Sequence, residues 1–102
     1  MNNRLLLIAL LSGFVGINGA ARAAGDAAAG KTAALSCAMC HGANGEGTKM
    51  GPRVAGMDPA RFTQAMNDYK SGKRDNAMMK NQASQPGAND IANLAAYYAS
   101  LK

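Results

Sequence analysis

Cys37, Ala38, Met39, Cys40 and His41 (CAMCH) form the one stretch of this chain whose residue types and spacing can do chemistry unaided. Two thiols three positions apart, with an imidazole directly behind them, suit three tasks: holding zinc, cycling between dithiol and disulfide, or clasping a haem. A structural zinc site wants four ligands, usually two pairs. Here Cys37, Cys40 and His41 are all the Cys and His there are, and His41 follows Cys40 too closely to join both thiols readily on one tetrahedral ion. A thiol oxidoreductase places C-x-x-C at a helix start after a strand, in a βαβ setting, and no segment here alternates as a strand would. A plain disulfide across two intervening residues is strained and leaves His41 without a task. The haem reading uses all three side chains: the thiols add to two vinyl groups as thioethers, and the following imidazole lies beneath the iron as an axial ligand.

The elements that position CAMCH are short. The chain has 102 residues, at most one small domain. Arg4 precedes an apolar run, Leu5 to Ile17, that is too short to span a bilayer comfortably and ends in small residues, with Ala21 and Ala23 placed as in an A-x-A cleavage site. Residues 1–23 therefore read as a secretory signal peptide and residues 24–102 as the mature domain, the alternative being an uncleaved membrane anchor. Without Arg4 and Arg22, the remaining nine basic residues against six acidic ones leave a net charge of +3. That is too little for a nucleic-acid binder. Phe62, Tyr69, Tyr97 and Tyr98 are the only aromatics of the mature part, which lacks Trp. So small a domain needs a staple or a large apolar cofactor to complete a core.

Asp26 caps a first helix, roughly Ala27 to Ser36, that leads straight into CAMCH. From Gly42 to Gly56 five glycines and Pro52 forbid regular structure, so this stretch wraps around something. Asp58 as cap and Pro59 at the first helical position open a second helix ending near Gly72. Its Phe62, Ala65, Met66 and Tyr69 make one apolar stripe. Residues 73–87, polar except for Met78 and Met79, read as a loop. From about Asn89 to Leu101 the set Ile91, Leu94, Ala95 and Tyr98 repeats the helical spacing. The predicted class is all-α.

With these motifs in place the chain resembles the small class I cytochromes c of bacteria, particularly the short cytochrome c4, c5 and c553 type. The resemblance covers essentially all of residues 24–102. It rests on AGK (29–31), CAMCHG (37–42), GPRVAG (51–56), YKSGKRDNAMM (69–79) and DIANLAAYYASL (90–101). It implies three to five short helices around one covalently attached haem c, with Cys37 and Cys40 as the thioether residues and His41 as proximal iron ligand. The Pro52 carbonyl would accept the ring N–H of His41, and Gly30 and Tyr97 would mark the crossing of the first and last helices. Val54-Ala55-Gly56-Met57 stands where the family has L-A-G-Q. Pro86-Gly87-Ala88-Asn89-Asp90-Ile91 lacks the family's Ser cap, so the last helix is expected to start later or fray.

Seven methionines compete for the distal position. Met1 is in the signal, Met39 lies between the thioether cysteines, Met66 belongs to the apolar stripe, and Met50 and Met57 flank Pro52 on the His side. Met78 and Met79 remain. Lining the chain up with the family at DIANLAAYY places the ligand at Met79, with Met78 the second choice.

A haem with two protein axial ligands has no open coordination site, so the expected role is a periplasmic electron carrier and not an enzyme. Lys49, Arg53, Lys70, Lys73, Arg74 and Lys80 flank the proposed haem mouth. They suit redox partners with acidic faces, such as a quinol-oxidising complex and a terminal oxidase or reductase. The alternative is a haem subunit held permanently on an enzyme. GMDPARFTQAMNDYKSG is similar to part of the cytochrome subunit of flavocytochrome c sulfide dehydrogenase, which implies a flavoprotein partner. A weak peroxidase or gas sensor would need a labile Met79 bond.

Overall fold

Among the described residues, 25–102, the computed structural model has five α-helices and no strand, in keeping with the all-α class. The expected signal peptide lies outside the described residues, and no described helix is long and apolar enough to cross a membrane. The helices are α1 (Ala27–Ala33), α2 (Leu35–His41), α3 (Pro59–Ser71), α4 (Ala77–Ala83) and α5 (Ala88–Ser100).

Asp26 caps α1 through its carboxylate, which accepts from the N–H groups of Ala28 and Ala29. Its own N–H donates to Asn93 Oδ1 at 2.7 Å, tying the start of α1 to α5. Gly30 is buried where the two helices cross, and a Cβ there would stand 2.7 Å from the Cβ of Tyr97. Ala34, 4% exposed, and half-buried Ala33 pack beside that crossing.

Two boundaries differ from the sequence expectation. The first helix does not stop near Ser36. It breaks at Ala34 (φ −73°, ψ −8°) and resumes as α2, so CAMCH is itself helical. Leu35, Ala38 and Met39 are strong helix formers and nothing opposes the helix before Gly42. Residues 73–87 are not one loop either, because α4 forms within them and carries Met78 and Met79. Its cap is Asn76, whose Oδ1 accepts from the Met79 N–H at 2.9 Å, and no Gly or Pro interrupts residues 77–83.

α3 opens on Asp58 and Pro59 as expected, and Gly72, at φ +85°, closes it in the left-handed conformation. α5 begins at Ala88 after an extended Gly87, without a side-chain cap, so the later start expected from the missing Ser does not occur. The core joins Phe62 and Met66 of α3 to Ile91, Leu94, Ala95, Tyr97 and Tyr98 of α5. Leu35, Met39, Met50 and Met78 stay exposed.

Candidate functional site

Cys37 and Cys40 lie one helical turn apart and so share a face of α2. Both are half-buried and neither is in a disulfide. Gly42, at φ +95°, ends the helix directly after His41 and turns the chain into the loop that returns over the imidazole. There His41 Nδ1 donates to the Pro52 carbonyl at 2.7 Å. The bond fixes the ring proton on Nδ1 and leaves the Nε2 lone pair free to ligate.

The loop is braced against α2. The Thr48 hydroxyl donates to the Cys40 carbonyl and accepts from the Met50 N–H, while the Thr48 N–H donates to the Gly51 carbonyl at 2.8 Å. A Cβ on Gly51 would stand 3.0 Å from both the Cys40 carbonyl oxygen and His41 Nδ1. A side chain there would press the loop and the ring apart by a few tenths of an ångström.

Cys37, Cys40, His41, Pro52, Met78 and Met79, the six residues singled out in the sequence, all line one cavity of about 550 Å³. Sites that bury small molecules run to about 300–1,000 Å³. Phe62, Met66, Leu94 and Tyr98 add apolar wall to it. On α4 the two methionines differ: Met79 is half-buried and packs on the core, whereas Met78 is 62% exposed. Arg53 and Arg74 also line the cavity, and the Arg74 guanidinium lies over the Tyr69 ring, 4.5 Å from its centroid.

The sequence reading puts Tyr98 on an apolar stripe and gives its hydroxyl no task. In the structure that oxygen is buried and makes no hydrogen bond, although Cys37 lies beside it. Leaving a buried hydroxyl unpartnered costs about 1–3 kcal/mol. Burial first, and then the Cys37 thiol, hold the Tyr98 phenol well above the usual tyrosine range. The signal in the sequence is a phenol where Phe would serve the stripe equally well. The roles of Thr48 and Gly51 come from a loop fold that composition does not specify.

The cytochrome c family model matches residues 27–102. The chain belongs to the cytochrome c family. It is 41% identical over 101 residues to a cytochrome c4 of Pseudomonas aeruginosa, covering 98% of this chain and 49% of that protein. It is 40% identical over 91 residues to cytochrome c-554(547) of Halothiobacillus neapolitanus, covering 78% of this chain and all of that one. The cytochrome subunit of sulfide dehydrogenase of Chlorobaculum tepidum is 32% identical over 72 residues, 71% of this chain and 66% of that protein. Among solved structures, cytochrome c4 of Acidithiobacillus ferrooxidans superimposes with a TM-score of 0.70 at 28% identity, covering 74% of this chain and 49% of that one. The chain thus spans about half the length of the cytochrome c4 relatives it matches. Covalently attached haem c is the cofactor of the cytochrome c family and of this chain.

The residues present fit that cofactor. Two free thiols on one helix face, an imidazole with its Nε2 lone pair available, and a thioether on the core-facing side of α4 converge on a cavity walled by apolar side chains. The unpartnered Tyr98 hydroxyl marks a place where the polypeptide alone leaves a polar atom unsatisfied.

Proposed function

We propose that this cytochrome c is a periplasmic monohaem electron carrier in which Cys37 and Cys40 hold the haem as thioethers, His41 is the proximal iron ligand and Met79 the distal one. When bound there, the haem iron supplies one-electron redox chemistry. The observation that carries the reading is the bond from His41 Nδ1 to the Pro52 carbonyl at 2.7 Å. It commits the ring to donation through Nε2 and holds it in one orientation, as second-shell partners of ligating histidines do. Cys37 and Cys40 fix the cofactor against α2. Phe62, Met66 and Leu94 give it an apolar wall. Met79 is favoured over Met78 because its side chain packs on the core while Met78 faces solvent.

With His41 and Met79 both holding the iron, no coordination site would be left for a substrate, which supports a carrier and not an enzyme. The exposed basic residues Lys49, Arg53, Lys70, Lys73, Arg74 and Lys80 would draw redox partners with acidic faces, raising encounter rates without a long-lived complex.

A second reading, a haem subunit held on a periplasmic enzyme such as flavocytochrome c sulfide dehydrogenase, draws on the exposed Met39, Met50 and Met78 around the cavity mouth. Apolar side chains so placed suit a permanent interface. It also draws on the likeness to the sulfide dehydrogenase cytochrome subunit.

The test is a visible spectrum, oxidised and reduced, of protein exported from a host with c-type haem maturation, followed by denaturation and acid–solvent extraction. Haem that stays with the polypeptide, with the weak long-wavelength ferric band of Met ligation, supports the carrier. Haem that extracts or never binds refutes it. Co-purification with a flavoprotein would favour the subunit.

A further inference from the structure

The Tyr98 hydroxyl is the only buried side-chain polar atom found without a hydrogen bond among the described residues. Its ring is in no position to turn that oxygen outward. Phe62 stacks against it with centroids 5.7 Å apart, and Tyr97 packs at 5.2 Å. Gly45 closes in on the ring as well, since a Cβ there would stand 2.9 Å from both Cδ1 and Cε1 of Tyr98. The backbone is tied too, because the Tyr98 carbonyl accepts from the Gly56 N–H at 2.8 Å. The hydroxyl therefore stays at the cavity wall, which it shares with Cys37.

We propose that Tyr98 is a positioning residue for Cys37, its O–H donating to the Cys37 sulfur once that sulfur is a thioether. The inference rests on the haem-binding reading of CAMCH. When the Cys37 S–H adds across a vinyl C=C, sulfur bonds to one carbon and hydrogen to the other, and no external oxidant or reductant is needed. The sulfur then has lone pairs and no proton, so it can only accept. A phenolic O–H held beside it is the complementary donor. The phenol keeps its proton for this task, since burial, the larger cause of its raised pKa, remains after attachment. Donation to the thioether withdraws electron density from the attached ring system and so favours the reduced state, acting through the hydrogen bonding that helps set haem potentials. A Phe at this position would fill the same space and supply no donor.

The test compares native holoprotein with Tyr98→Phe by redox titration and by resonance Raman spectroscopy of the thioether C–S stretch in H2O and D2O. The expected result is a lower reduction potential in Tyr98→Phe, with covalent haem and the Met-ligation band retained. The C–S band of the native protein should move in D2O and that of Tyr98→Phe should not. In a Cys37→Ala background, attached through Cys40 alone, Tyr98→Phe should no longer shift the potential. An unchanged potential, or an equal shift in the Cys37→Ala background, overturns the proposal. If Cys37→Ala does not accumulate as holoprotein, the D2O comparison decides, and a C–S band insensitive to D2O in the native protein overturns it. Native protein without covalent haem would sink the haem-binding reading itself, and this inference with it.

Discussion

Gly30 of α1 and Tyr97 of α5 meet so closely that a Cβ on Gly30 would stand 2.7 Å from the Tyr97 Cβ and overlap the Asn93 carbonyl. This crossing sets the site, because α1 continues through Ala34 into the helix that carries CAMCH, while α5 supplies Leu94 and Tyr98 to the same cavity. Gly30→Ala forces the helices apart. Overpacking of this kind costs about 1–3 kcal/mol, which for a domain of this size lowers Tm by about 4–8 °C per kcal/mol. Thermal unfolding of the holoprotein measures it, and a native-like Tm would mean the helices do not touch as described.

His41 depends on the loop backbone, not on the Pro52 side chain. Pro52→Ala keeps the carbonyl that accepts from Nδ1 and should leave the His41 ring proton visible by NMR at a nearly native shift. Gly51→Ala places a methyl 3.0 Å from Nδ1 and should move that resonance and lower stability by about 1–3 kcal/mol. Equal effects from the two substitutions would argue against this account.

Met79→Ala should abolish the long-wavelength ferric band and lower the reduction potential, because a thioether opposite histidine raises it. Met78→Ala should do neither, since Met78 faces solvent. The reverse pattern would assign the distal ligand to Met78.

How far the sequence could be read is clearest at the helix ends. Asp58, Pro59 and Gly72 bound α3 by local chemistry that acts whatever the surroundings, and the structure puts the ends there. The motif residues were legible because CAMCH has few chemical uses. α4 was not: in seven residues its only large apolar side chains are Met78 and Met79, too few to show a period. The break at Ala34 has no Gly or Pro behind it, and the packing of α1 on α5 lies outside any local pattern. Tyr98 was placed correctly on its stripe, but the isolation of its hydroxyl is created by Phe62, Tyr97 and Gly45, three residues from elsewhere in the fold or beside it.

Asn76 offers a test of α4 itself. A seven-residue helix is too short to hold by propensity alone, so its cap counts. Asn76→Ala removes the bond to the Met79 N–H and should cost about 0.5–2 kcal/mol. Because the loss is local, the Met-ligation band should bleach at a lower denaturant concentration than the far-UV helix signal in the variant. Coincident transitions would show that α4 unfolds only with the whole domain.

Tyr98 also predicts an alkaline limit to stability. An unfolded tyrosine loses its proton near pH 10, whereas burial holds the folded phenol above that value. Between the two pKa values the folded state binds more protons than the unfolded one, so stability falls as pH rises. The contribution is fully present below about pH 10 and is lost as pH climbs toward the folded pKa. The Cys37 thiol adds to the shift only until it becomes a thioether, but burial, the larger cause, remains after attachment. Denaturation midpoints of holoprotein followed from pH 8 to pH 11 should therefore decline more steeply for the native protein than for Tyr98→Phe. Parallel curves would mean that the phenol reaches solvent and is not enclosed as the ring contacts with Phe62, Tyr97 and Gly45 require.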